Sequence, residues 1–141
     1  HATQDMTKAD RAWGARGSGA YAFAAVAATG ANLAFSSDAP VETIDPIAGI
    51  HAAVTRRRAD GLPPGGWHPE QRVSLETTLA AYTSGCARAA GEEATLGRIA
   101  PGCHADFAVL SHDLFAFDDP MRILEAHVDT TIVGGEVVYR A

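Results

Sequence analysis

A short apolar run, Asn32 to Phe35, stops at Ser36-Ser37-Asp38-Ala39-Pro40, and no other stretch narrows the choice of fold as much. The run is too short for a helix and is bounded by turn residues, so it reads as a buried strand over residues 32–36. Ahead of it, Gly19 to Thr29 is Ala-rich and reads as a helix with Gly30 at its C′ position. A helix, a tight Gly turn and an apolar strand make half of a βαβ unit. An acid at the carboxyl end of such a strand lies where α/β barrels place catalytic groups. The competing reading is a turn or N-cap Asp ahead of Pro40.

After this acid, Asp45-Pro46 opens a helix over 45–58, with Ile47, Ile50 and Val54 on one apolar face. Arg56-Arg57-Arg58 then falls in its solvated last turn, where cations are favoured. Pro and Gly dominate residues 62–72, a surface excursion. Ser74 caps a further helix over 74–90 that carries Leu75, Leu79, Tyr82 and Cys86 at helical spacing and ends at Gly91. Beyond Gly97 the period changes. Leu96 to Ala100 reads as a strand, Pro101-Gly102 as a turn and Ala105 to Leu110 as a second strand. A helical turn over Met121 to Ala126 follows. Val128 to Val133 and Glu136 to Tyr139 flank Gly134-Gly135, a hairpin signal. Residues 1–18, polar and rich in Gly towards their end, read as a loop. The division that results is 1–95, α/β, and 96–141, all β.

Several function classes drop out on composition. A net charge of −6 disfavours nucleic acid and anionic membrane as partners. No apolar stretch approaches the roughly 20 residues of a membrane span, and no signal peptide is visible. Cys86 and Cys103 have neither metal nor redox spacing, which points to a reduced, cytoplasmic setting, with a disulfide as the other option. The first residue is not Met, consistent with a processed chain or a partial reading frame.

Taken in order, a set of stretches resembles one family. They are Ala34-Phe35-Ser36-Ser37-Asp38-Ala39-Pro40-Val41, Asp45 to Arg57, Ser74-Leu75-Glu76, Ala81-Tyr82-Thr83, Gly97 to Leu110 and Val133 to Tyr139. Each is weak alone; their order and spacing resemble the C-terminal portion of the amidohydrolase superfamily, in the branch called amidohydrolase family 3. The resemblance runs from His1 to the end. It implies the last part of a metal-dependent (β/α)8 barrel, with Asp38 ending the eighth strand and 45–58 forming the eighth helix. It also implies strands of a small β-sandwich after residue 95, the remaining barrel strands being absent from this chain. The family usually has Gly where Ser37 stands, and a position needing positive φ would strain a Ser.

Hydrolysing an amide at neutral pH takes a metal-activated water and a carboxylate to move its proton. The resemblance gives Asp38 that role, in contact with a divalent metal, zinc being the expected one. It also matches His1, through the following Ala-Thr-Gln-Asp-Met, to a His facing the site mouth, and suggests Asp5 as a substrate-loop residue. A terminal residue without a fixed place and a surface-loop acid are their alternatives. His51 reads as a solvated or partly packed helix residue, and His68, His104, His112 and His127 as surface residues. Tyr82 reads as core, and Trp67 as a loop anchor or an edge of the site. No HxH, HxxxH or CxxC occurs, and one Asp falls short of the three or four ligands zinc takes.

The favoured function is therefore hydrolysis of a non-peptide C–N bond in a small-molecule amide by the complete enzyme, this chain alone being inactive and binding no metal. Two others stay open. The chain could complete a partner's barrel in a split enzyme, or serve as an association module through the open edge of its hairpin. Barrel strands bury both faces, so exposed apolar surface is expected at Leu33, Phe35, Ile47 and Ile50, and with it self-association.

Overall fold

The computed structural model describes every residue from His1 to Ala141. Five helices come first: α1 Met6–Trp13, α2 Phe23–Ala28, α3 Pro46–Thr55, α4 Leu75–Tyr82 and α5 Ser84–Ala90. Three strands follow, β1 Phe107–Leu110, β2 Val128–Val133 and β3 Glu136–Arg140, in one antiparallel sheet of order β1-β2-β3. Helix and strand are thus both present, helices before residue 91 and sheet after residue 106.

Local signals explain most boundaries. Asp45 has extended backbone and accepts from the Ile47 N–H at 2.9 Å, and Pro46 takes the first helical position of α3. Ser74 accepts from the Thr77 N–H and opens α4 in the same way. Gly134 and Gly135 both have positive φ, 59° and 86°, the backbone that a tight hairpin between twisted strands demands. Asp119 caps a 3-10 turn over Pro120–Glu125, where a helical turn is expected.

Other expectations are corrected. The supposed loop 1–18 contains α1 and a 3-10 segment, Gly14–Gly19. Long-range burial creates this helix: Met6 and Ala9 pack with Ala20 and Trp67. α2 begins only at Phe23, because Tyr21 takes a left-handed backbone, φ 51°. Residues 32–36 belong to no sheet. They run extended against the helices instead: the Phe35 N–H donates to the Ala81 carbonyl at 3.0 Å, and Asn32 Nδ2 donates to the Gly85 carbonyl at 2.8 Å. A break between α4 and α5 at Thr83 (φ −121°, ψ −91°) leaves the Ala81 carbonyl open to them. Residues 96–100 form no strand either. Gly97 lies so close to α5 that a Cβ there would stand 2.7 Å from Ser84 Cα, so this segment docks on a helix rather than pairing.

Only 21 of 141 residues are buried, so two small clusters hold the chain together rather than one broad core. One joins Ile47 and Ile50 of α3 to Leu114, Ile123 and Ala126. The other is the Met6–Ala9–Ala20–Trp67 group. Ile47 and Ile50 are therefore covered, contrary to expectation, because the segment 114–126 folds back over α3. The exposed apolar side chains lie elsewhere, among them Val41, Ile44, Ile99 and Phe115 and, on the sheet, Val109, Val133, Val137, Val138 and Tyr139. Leu33 and Phe35 are half-buried.

Two more residues differ from the sequence reading. His51 is 2% exposed, with Nε2 at 3.3 Å from Met121 Sδ; burial lowers its pKa. Arg56 is not in a solvated turn but completely buried. His68 is half-buried beside Trp67, whereas His104, His112 and His127 are exposed. Trp67 anchors its loop, donating from Nε1 to Asp10 at 3.0 Å, and Tyr82 packs on the α3 cluster. Both cysteines are free thiols.

Candidate active site

Asp38 has a left-handed backbone, φ 54°, a conformation that Asp tolerates better than most residues because its short side chain can bond locally. The positive φ thus falls on Asp38 and not on Ser37. The Asp38 carboxylate stands three-fifths exposed and accepts from His1 Nε2 at 2.9 Å through Oδ2. Its Oδ1 has no hydrogen-bond partner in the chain.

The other imidazole nitrogen, Nδ1, meets Asp5 Oδ2 at 3.0 Å and lies 3.6 Å from Glu42 Oε1. Asp5 in turn accepts from the Tyr21 hydroxyl at 2.9 Å and from Lys8 Nζ at 2.8 Å. Asp5 occupies the N-cap position of α1 yet caps no helical N–H, since its oxygens are taken by these three donors. A cap is worth about 1 kcal/mol, which the helix forgoes. The structure therefore brings together His1, Asp5 and Asp38, the three candidate residues of the sequence reading, and adds Tyr21, Lys8 and Glu42. The i, i+4 spacing of His1 and Asp5 is a signal of their pairing; nothing local marks Tyr21, which arrives through its unusual backbone.

Charge follows from these contacts. The Asp38 carboxylate, and after it Asp5, raises the His1 pKa above its ordinary 6.5, which favours an imidazolium with both N–H groups donating. The hydrogen bonds from Lys8 and Tyr21 hold Asp5 down at about 2, so it is a fixed anion. Burial, with Asp5 second, pushes the Tyr21 phenol up to about 12, so it stays a neutral donor. The result is one chain of hydrogen bonds, Tyr21 to Asp5 to His1 to Asp38, anchored inside and exposed at its last oxygen.

A cavity of about 270 Å³ opens beside it, lined by His1, Ser37, Glu42 and the rings of Tyr21, Phe35 and Tyr82 among others. Asp38 sits next to this lining rather than in it. The same arrangement does not make a metal centre: no three His, Cys, Asp or Glu side chains gather so as to hold an ion. Both ring nitrogens of His1 face carboxylates, which leaves Asp38 Oδ1 and the Glu42 carboxylate as the oxygens free to ligate. Zinc takes three or four, so these residues do not suffice for one. No helix is long and apolar enough to cross a membrane.

YtcJ of Bacillus subtilis (strain 168), whose name proposes an amidohydrolase, is 33% identical over 120 residues, which cover 85% of this chain and 22% of YtcJ. Protein LONG AFTER FAR-RED 3 of Arabidopsis thaliana is 37% identical over 122 residues, covering 84% of this chain and 20% of that protein. The chain thus spans about a fifth of the length of these relatives. No solved structure matches significantly. The amidohydrolase family, which is in general metal-dependent, describes residues 2–139. With a family match over nearly its whole length, the chain belongs to the amidohydrolase family, as a segment of its family 3 branch.

Proposed function

We propose that this chain supplies the general-base corner of a hydrolase that cleaves a non-peptide C–N bond in a small-molecule amide. The observation that carries the reading is the His1–Asp38 contact, with Asp38 Oδ1 left free at the exposed end of the hydrogen-bonded chain. Asp38 Oδ1 takes a proton from water as the water oxygen bonds to the amide carbon; the C–N bond then breaks and the nitrogen leaves with that proton. His1 fixes the carboxylate through Oδ2, so that Oδ1 faces the reactants, and Asp5 holds the imidazole in turn. Glu42 and the aromatic rings of the cavity would border the substrate.

In this reading residues 1–95 form the end of a (β/α)8 barrel and 96–141 the strands of a small sandwich. The metal, zinc by preference, takes its remaining donors from parts of the enzyme outside these residues, and the chain alone is inactive. Two free thiols fit a reducing, cytoplasmic setting. A second reading, an association module, draws on β3, all five of whose residues are exposed. Activity of the full-length enzyme on a panel of N-acyl and N-formyl amines separates them. Asp38→Asn, which keeps the left-handed backbone accessible, should lower kcat by about 10²–10⁴-fold, the range for a general base. Full turnover in that variant would sink the assignment.

A further inference from the structure

We infer that Arg56 is a positioning residue for this site: its buried guanidinium clamps the backbone of Tyr21, so that the Tyr21 hydroxyl holds Asp5 and, through Asp5, His1. The inference rests on the reading of the site given above and deepens it.

Arg56 is 0% exposed, yet it pairs with no carboxylate. Its three nitrogens donate to carbonyls alone: Nε to Trp67 at 3.0 Å, Nη1 to Tyr21 at 3.0 Å and Nη2 to Ala20 at 3.5 Å. The guanidinium carbon lies 5.1 Å from the Trp67 ring centroid and 5.5 Å from that of Phe23. A buried cation with only neutral partners is costly, so its presence calls for a use. Both residues at the ends of the clamp are left-handed, Arg56 at φ 56° and Tyr21 at φ 51°. For bulky residues this backbone persists only where surroundings over-determine it.

The surroundings are visible. The Trp67 N–H donates to the Arg56 carbonyl at 2.8 Å. Gly66 comes close enough that a Cβ there would stand 2.6 Å from the Thr55 carbonyl. The loop over Gly66 and Trp67 is thus pressed onto the end of α3, with Arg56 beneath it and Tyr21 beyond. From Tyr21 the connection continues through its hydroxyl to Asp5 Oδ2 and on to His1 Nδ1. A planar fork with several fixed donors can hold carbonyls from two separate segments; a lysine ammonium presents no such fork.

The test uses Arg56→Lys in this 141-residue chain. Ultraviolet titration follows the Tyr21 phenol, its signal identified by its loss in Tyr21→Phe, and nitrogen NMR follows the His1 ring. The phenol should move from about 12 towards its ordinary 10.0, and the His1 Nδ1 resonance should shift as its contact with Asp5 loosens. A role in packing alone would lower the melting temperature and leave both signals where they were, and a folded Arg56→Lys chain behaving so overturns the inference. Should that variant not fold, Phe23→Leu removes a ring beneath the guanidinium and should move both signals the same way by less; no movement counts against the clamp. In the unaltered chain the Arg56 Nε proton should exchange slowly, and fast exchange also overturns it. None of these readouts needs turnover, so an active Asp38→Asn enzyme would remove the proposed chemistry and leave the clamp standing, and the reverse.

Discussion

Ile123→Ala probes the point on which this small structure most depends. Ile123 is 1% exposed and packs with Ile47, Ile50, Leu114 and Ala126. Two segments far apart in sequence, α3 and the 3-10 turn at Pro120–Glu125, meet through that cluster. Truncation removes roughly three carbons at about 0.8 kcal/mol each, or about 2.4 kcal/mol of transfer free energy. The void left behind raises the loss to about 3–4 kcal/mol, within the range of about 2–5 for such changes. For a domain of this size, about 3–4 °C per kcal/mol gives a fall in melting temperature of about 10–15 °C. Urea and thermal unfolding, followed by far-UV circular dichroism and by Trp fluorescence, would measure it, and both signals should shift together. Val138→Ala, at a site 60% exposed, is the control and should change stability by less than about 0.5 kcal/mol. A loss below about 1 kcal/mol in Ile123→Ala would refute the reasoning. So would a fluorescence transition that stays in place while only the dichroism shifts, since Trp67 sits in the other cluster and the two clusters would then unfold separately.

Two other outcomes follow from the same structure. Gly85→Ala would place a Cβ against the Leu33 carbonyl, so the extended segment that carries Asp38 must move; His1 and Asp38 chemical shifts should change in NMR spectra, and an unchanged spectrum would contradict the docking. Burial, and after it Arg57, lowers the His51 pKa below 6.5, so the unfolded chain binds more protons on acidification and stability falls as pH drops from 6.5 through the folded value; His1, with a raised pKa, acts oppositely, its contribution being full below 6.5 and lost as pH rises through its folded value. Melting curves against pH should therefore show a shallower acid decline for His51→Gln than for the unaltered chain, and an equal decline would count against a neutral buried imidazole.

Punctuation was legible in the sequence, and partnership was not. Asp45-Pro46, Ser74, Gly91 and Gly134-Gly135 set backbone geometry through their own chemistry, so the start of α3, the start of α4, the end of α5 and the hairpin could be read locally, whereas α3 stops at Thr55 and not at Arg58 because Arg56 turns left-handed. α1 could not, because its apolar side is only Met6 and Ala9 and its partner Trp67 lies far along the chain. Residues 32–36 have a strand's composition but dock on α4 and α5, the Phe35 N–H donating to the Ala81 carbonyl left open by the helix break at Thr83, which no periodicity announces. The burial of Arg56 depends on carbonyls from Ala20, Tyr21 and Trp67, so three adjacent arginines looked like a solvated charge run. Within the site, Asp38, His1 and Asp5 each had a reason to be singled out, whereas their meeting is a property of chain path. Tyr21 escaped because a left-handed aromatic residue has no sequence signature.

The left-handed turn at position 38 ties shape and chemistry to one residue. Glutamate would keep the charge and lose the bend; asparagine or glycine would keep the bend and lose the charge. If the proposed hydrolysis is right, a lineage that gave it up could drift to either of the latter with its outline intact, and a survey that judged such descendants by their contours would count silent proteins among working ones.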